Sequence, residues 1–85
     1  MDVHFYAAAR AAAGVACEEI QQPPATLGEL IDELIERHQG QTAGGTPFAE
    51  VLEICSFLAD GQRVEPSSSL KSVARLDVMP PFAGG

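Results

Sequence analysis

Basic residues, cysteine and long apolar runs are all scarce in this 85-residue sequence. Five lysine and arginine residues stand against twelve aspartate and glutamate residues, and the formal net charge is −7 at pH 7. This excess disfavours nucleic acids and anionic membranes as partners, because both are themselves negatively charged. No apolar segment approaches the roughly 20 residues that a membrane-spanning helix needs, and no basic export signal follows Met1. We therefore expect a cytoplasmic protein.

The few residues that could hold a metal or react are widely separated. Cys17 and Cys55 form no Cys-x-x-Cys pair and lie in apolar segments, so we expect two reduced thiols in the core. A redox or sulfur-bearing thiol is the weaker alternative. Neither His4 nor His38 has a second ligand at metal-binding spacing, so no metal site is predicted. The sequence also lacks a P-loop, an HExxH motif and a glycine-rich dinucleotide turn.

What is present predicts one small folded domain. Hydrophobic residues make up 46% of the chain, as in ordinary globular domains. Apolar and polar residues alternate over residues 3–7, which predicts a first strand with one buried face that includes Ala7. Residues 8–13 are typical of a short helical turn closed by Gly14. Residues 15–20 form a second candidate strand.

The clearest element is an amphipathic helix. Residues 27–35 carry apolar side chains at helical spacing, with an acidic opposite face that we interpret as solvated. Thr26 and Glu29 have the spacing of a capping box, and Gly40 is placed to close the helix. A second, short helix is predicted over residues 48–53.

Strand signals dominate the C-terminal half. Residues 56–59 and 62–64 flank Asp60-Gly61, a strong two-residue hairpin signal. Residues 76–79 form the last predicted strand, and Pro80-Pro81 end it because proline has no N–H for the ladder.

This order of elements predicts an α+β fold. A mixed sheet of four to five strands should pack on one main helix, with the first and last strands as its central pair. The chain would then consist of a folded domain, residues 1–79, and an extended C-terminal tail, residues 80–85.

The tail ends in Gly84-Gly85. Glycine has no Cβ, so such a tail can extend into a narrow slot and present the Gly85 carboxylate as a handle that can be activated and loaded. Phe82 lies beside two prolines that favour an extended backbone, and we interpret it as a partner-binding anchor. The alternative is that Phe82 folds back on its own core.

These residues resemble the MoaD/ThiS family of sulfur carriers, which have the ubiquitin-like β-grasp fold. The resemblance covers essentially the whole chain and lies in residues 3–10, the capped helix from Thr26, the Asp60-Gly61 hairpin and residues 77–85. The Pro-Pro form of the tail is closer to MoaD, the small subunit of molybdopterin synthase. Two departures are local: Ser72-Val73-Ala74-Arg75 stands where the family usually has a Gly-Asp turn, and Asp-Gly replaces Asn-Gly in the hairpin.

The resemblance implies a carrier rather than an enzyme, with no cofactor bound. An E1-like adenylating enzyme would use ATP to join the Gly85 carboxylate to AMP, and a sulfur donor would then leave a thiocarboxylate. The loaded chain would deliver this sulfur in molybdenum cofactor biosynthesis while docked on the large catalytic subunit of molybdopterin synthase, in a heterotetramer. Gly84 and Gly85 would form the reacting end. The implied partner-binding residues are Pro80, Pro81, Phe82 and Ala83.

Three alternatives stay open at this point. The carrier could serve thiamine or cysteine biosynthesis, or the chain could be a ubiquitin-like modifier that forms isopeptide bonds through Gly85. Lys71 is the sole lysine, which limits self-linked chains to one site. The last alternative is an interaction domain whose Gly-Gly end is incidental.

Overall fold

The computed structural model describes residues 1–81, so Phe82, Ala83, Gly84 and Gly85 lie outside the described residues. The elements within residues 1–81 are β1 (Asp2–Phe5), α1 (Ala7–Ala13), β2 (Cys17–Glu19), α2 (Leu27–Arg37), α3 (Phe48–Glu53), β3 (Ser56–Ala59), β4 (Gln62–Val64) and β5 (Arg75–Met79). No helix in this part of the chain is long and apolar enough to cross a membrane.

The strands form one mixed sheet in the order β2-β1-β5-β3-β4. β1 and β5 run parallel at its centre, and the outer pairs are antiparallel. This confirms the predicted α+β architecture and its central strand pair. β5 ends at Met79. The division into a domain of residues 1–79 and a tail of residues 80–85 stays a prediction.

The core lies between one face of this sheet and the helices. Every buried residue in the described part of the chain is apolar, and these residues form one cluster. The central strands contribute side chains by strict alternation, so that Val3 and Phe5 on β1 and Leu76 and Val78 on β5 are almost fully buried. α2 covers them with the leucines of its apolar stripe, which are Leu27, Leu30 and Leu34.

The N-terminus of α2 is capped as predicted. Thr26 Oγ1 accepts the Glu29 N–H at 3.3 Å, and the Thr26 hydroxyl donates to the Glu29 carboxylate at 3.1 Å. The prediction that Gly40 closes this helix is wrong. The helix ends at Arg37, and His38 follows it with extended backbone while its N–H donates to Leu34 O.

Gly40 is required for a different reason. A Cβ at this position would lie 2.4 Å from the carbonyl oxygen of Ala12 in α1, so the chain passes too close to α1 for any side chain. The imidazole of His38 packs near the rings of Phe5 and Phe48, with ring centroids 5.5 and 5.0 Å away. The backbone leaves the helical conformation at this packed histidine, two residues before Gly40.

The first predicted strand is shorter than expected, because Ala7 belongs to α1 and is exposed. The carbonyl of Tyr6 accepts the N–H groups of Ala9 and Arg10, which starts the helix immediately after the strand. Gly14 closes α1 as predicted, with φ of 79° and its N–H donated to Arg10 O.

The Asp60-Gly61 hairpin is confirmed. Both residues have positive φ, 48° and 85°, as a type I′ turn requires. The turn joins β3 to β4 in register, with Ala59 opposite Gln62.

Candidate functional site

The strand that leads into Pro80 and Pro81, β5, lies in the middle of the sheet. β5 is hydrogen-bonded on both sides up to its end, with Val78 opposite Phe5 on β1 and Met79 opposite Ser56 on β3. The Tyr6 N–H also donates to Val78 O at 3.2 Å. The chain is therefore fixed in the sheet up to the last residue before the tail.

The two predicted site residues within the described part of the chain stand where this anchoring stops. Pro80 is half-buried and Pro81 is exposed, and neither has an N–H to continue the ladder. The other predicted site residues, Phe82, Ala83, Gly84 and Gly85, lie outside the described residues. Their roles in acyl activation and partner binding stay predictions.

The strand residues that alternate with the core point to the second face of the sheet, which we call the open face. Its residues on and beside the central strands include His4, Tyr6, Cys17, Leu58, Arg75, Asp77 and Met79. Met79, the last strand residue before the tail, is 38% exposed although it is apolar.

A hydrogen-bonded network occupies the centre of the open face. The Arg75 guanidinium donates to Tyr6 Oη at 2.7 Å and to Asp77 Oδ1 at 3.0 Å, and the Tyr6 hydroxyl donates to the same Asp77 oxygen at 2.9 Å. The hydrogen bonds with Asp77 and Tyr6 hold the pKa of Arg75 above its ordinary value. The network ties Tyr6, the residue after β1, to Asp77 on β5, three residues before the tail begins.

Sequence reasoning did not find this network. The period-two alternation on β5 could have placed Arg75 and Asp77 on one face. That Tyr6 meets them depends on the parallel register of β1 and β5, where His4 lies opposite Asp77. No local pattern encodes the register between strands at opposite ends of the chain.

The helix side has a different electrostatic character. Glu29, Asp32 and Glu36 on α2 are exposed, and Glu33 pairs with Arg37 at 3.1 Å on the same helix. This confirms the interpretation of the acidic face of α2 as solvated. The open face instead carries Arg63 and Arg75 beside the acidic residues Asp2, Glu19 and Asp77, so the two signs of charge are more nearly balanced there than on α2.

The two cysteines lie in different environments, and the prediction that both are core thiols is wrong for Cys17. Cys17 is exposed at the start of β2, an edge strand whose Glu18 turns to the helix side and accepts a bond from His38 at 2.6 Å. Cys55 is half-buried and donates to Val51 O at 3.1 Å. Burial raises the pKa of the Cys55 thiol to about 11.

The two histidines lie on opposite sides of the sheet. His4 is on the open face, with Nε2 at 3.7 Å from the Cys17 sulfur, whereas His38 packs on the helix side. Residues 1–81 contain no group of three or more His, Cys, Asp or Glu side chains arranged to hold a metal ion.

Comparison with known proteins agrees with this geometry. The fold is similar to that of SAMP1 from Haloferax volcanii, with a TM-score of 0.71 at 19% sequence identity over 99% of this chain and 97% of that one. This likeness confirms the predicted ubiquitin-like β-grasp fold. No curated protein sequence matched significantly. The model of the ThiS family matches residues 3–85. The chain therefore belongs to the ThiS family of small ubiquitin-like carriers, which work with E1-like partner enzymes rather than as enzymes themselves.

Proposed function

We propose that this protein is a sulfur carrier that forms the small subunit of a molybdopterin synthase and is thiocarboxylated at Gly85. The observation that carries the proposal is the family match, which extends through Gly84 and Gly85. The position of β5 supports it, because the central strand leads directly into Pro80-Pro81. A reacting end attached there starts from a fixed strand and lies within six residues of it.

The chemistry asks little of the carrier itself. A carboxylate is a poor acyl donor until a good leaving group is attached, so a partner enzyme would use ATP to form an acyl adenylate at Gly85. A sulfur donor would then displace AMP and leave the thiocarboxylate, a nucleophile that attacks the molybdopterin precursor. In this proposal the partners supply the ATP-binding, metal-binding and basic residues, and the carrier binds no cofactor.

The open face gives these partners a place to dock beside the tail. Tyr6, Leu58 and Met79 lie on this face near the end of β5 and are each partly exposed. We propose that the E1-like enzyme and the large synthase subunit both use this face, in turn, while Phe82 anchors the tail. The synthase would be a heterotetramer in the cytoplasm.

The decisive experiment is the intact mass of the protein after incubation with an adenylating enzyme, ATP and a sulfur source. Replacement of one carboxylate oxygen by sulfur adds roughly 16 Da, the mark of an acyl intermediate captured by sulfide. Fragmentation must localise the gain to Gly85, because oxidation of a methionine or cysteine adds nearly the same mass. A chain that gains no mass at Gly85 under conditions that load a known carrier contradicts the proposal.

Two glycine variants provide a matched control. Gly84→Val should abolish loading, since a branched side chain next to the reacting carbonyl would collide with a narrow channel and hinder attack. Gly44→Val makes the same chemical change in the loop before α3, where a Cβ has only Thr42 Oγ1 within 4 Å, at 3.9 Å. It should load normally. Equal loading of both variants would remove the steric argument for the tail.

The receiving pathway is tested separately. The loaded chain is mixed with the large synthase subunit and a molybdopterin precursor, and loss of the 16 Da is followed with formation of the dithiolene product. If the chain is loaded at Gly85 but transfers its sulfur to a thiamine or cysteine precursor instead of the molybdopterin precursor, it belongs to that other pathway. Conjugates with lysines of other proteins would instead identify a ubiquitin-like modifier.

A further inference from the structure

The open face carries two neighbouring reactive side chains, a thiol and an imidazole, that the carrier chemistry at Gly85 does not use. Cys17 lies opposite His4 in the register between β2 and β1, and its sulfur is 3.7 Å from His4 Nε2. This distance is within the range of a hydrogen bond to sulfur. The thiol is exposed to solvent and the imidazole is half-exposed, so both can meet a small reagent.

The arrangement differs from that of a hydrolytic triad. Asp77 is the next residue across the sheet from His4, but its Oδ1 accepts hydrogen bonds from Tyr6 and Arg75. The carboxylate is thus held by its own network, and no hydrogen bond between His4 and Asp77 is formed. The other charged groups on these strands that share the open face are Asp2 and Glu19. The site is therefore a thiol with one imidazole beside it.

We propose that Cys17 is a thiol–disulfide exchange site in which His4 accepts the thiol proton and whose co-reactant is a low-molecular-weight disulfide. The Cys17 proton passes to Nε2 of His4, and the Cys17 sulfur attacks one sulfur of the disulfide. The disulfide bond breaks, and the departing thiolate takes the proton back from His4. The products are a mixed disulfide at Cys17 and one free thiol, so atoms and electrons balance.

The mixed disulfide would also control docking, a consequence that rests on the proposed function. Cys17 shares the open face with Tyr6 and Met79, which lie near the end of β5. A tripeptide attached to Cys17 would add bulk and charge to this face, and a reducing thiol would remove it again. Modification is thus expected to slow loading of Gly85 reversibly.

The chain offers a matched control in its other cysteine. Cys55 donates its thiol proton to Val51 O, and burial raises its pKa to about 11. The thiolate is the reacting form. At neutral pH Cys55 should therefore react with disulfides roughly tenfold more slowly than an exposed thiol, since its smaller thiolate fraction is partly offset by the greater nucleophilicity of a more basic thiolate.

The test uses single-thiol chains of the full protein, unloaded at Gly85, treated with oxidised glutathione and followed by intact mass. Cys55→Ser leaves only Cys17 and should gain one glutathione rapidly, while Cys17→Ser leaves only Cys55 and should react roughly tenfold more slowly. Adding His4→Gln to the Cys55→Ser chain should slow the reaction about tenfold or more at pH 7. At pH 9.5 the two chains should agree within about twofold, because thiols ionise there without help.

The pH profile separates proton transfer from a structural role of His4, and His4→Asn serves as a second variant if the glutamine variant folds poorly. Equal rates of the two single-thiol chains, or a His4→Gln rate equal to the parent at pH 7, would overturn the proposal. The docking consequence has its own readout. If the glutathione adduct loads at Gly85 as fast as the reduced chain, the docking consequence is wrong, whereas a reduced chain that never loads refutes the proposed function instead.

Discussion

The two faces of the sheet differ in what their side chains do, although they alternate along the same strands. On β1, Val3 and Phe5 are almost fully buried against the helices, while His4 between them is half-exposed beside Cys17. On β5, Leu76 is buried and Asp77 next to it accepts bonds from Tyr6 and Arg75. One face supplies stability and the other supplies groups that can meet a partner. In a domain this small, the sheet serves both purposes by alternation alone.

The largest expected effect comes from one leucine on each face. Leu76→Ala on β5 removes a side chain with no exposed surface and should lower the free energy of unfolding by about 3–5 kcal/mol, because it leaves a cavity in the core. Leu58→Ala on the neighbouring strand β3 changes the same side chain on the open face, where it is partly exposed. It should cost about 1 kcal/mol or less. Urea unfolding at 25 °C measures both.

The comparison fails if the two variants lose similar stability, since Leu58 would then be as much a core residue as Leu76. A small domain can unfold entirely on losing several kcal/mol, so Leu76→Val is a milder second variant. Removal of one methylene there should still cost about 1 kcal/mol. Leu58→Ala should affect docking of a partner more than stability.

A smaller effect is expected where the hairpin meets β5. The Asp60 carboxylate accepts the Arg75 N–H at 2.9 Å and the Ala74 N–H at 3.2 Å, and its own N–H donates to Arg75 O. It thereby fixes the start of β5, whose side chains supply both faces. Asp60→Ala leaves two N–H groups without this acceptor and should cost about 1–3 kcal/mol.

The matched control is Asp60→Asn, which keeps one side-chain oxygen and tolerates positive φ. It should retain most of the stability, because asparagine suits this turn position as well as aspartate does. If Asp60→Asn lost as much stability as Asp60→Ala, the negative charge of Asp60, rather than its acceptor oxygen, would hold the start of β5 in place. Thermal unfolding of both variants in one buffer decides between these results.

The same contact joins the two segments in which the sequence departs from the family pattern. Where the family usually has a Gly-Asp turn before the last strand, this chain has Ser72 with φ of 64° and no acidic residue. Asp60, which replaces the usual asparagine of the hairpin, provides the acceptor for the N–H groups of Ala74 and Arg75. The hairpin residue Asp60 and the segment before β5 are thus joined directly by hydrogen bonds in the fold.

Local patterns predicted the elements well because alternation, helical spacing and turn chemistry act within a few residues. The capped α2, the hairpin at Asp60-Gly61 and the central position of β1 and β5 are confirmed. The errors at Gly40 and Cys17 have one cause. Each depends on a distant neighbour: Ala12 leaves no space for a Cβ at Gly40, and the register of β2 against β1 places Cys17 beside His4 on the open face. The composition of the segment around a residue does not predict a contact with a residue far away in the sequence.

The smallest expected effect concerns the half-buried counterpart of Cys17. Burial raises the pKa of Cys55 from 9.0 to about 11, so the folded state favours the neutral thiol. The stability that this preference contributes is fully present below about pH 9 and is lost as the pH rises through about 11. Urea unfolding of the Cys55→Ala variant should therefore show a weaker decline between these pH values than the parent chain, while Cys17→Ser should follow the parent. If Cys17→Ser flattened the decline and Cys55→Ala did not, the assignment of the two thiols to an open and a covered environment would be reversed.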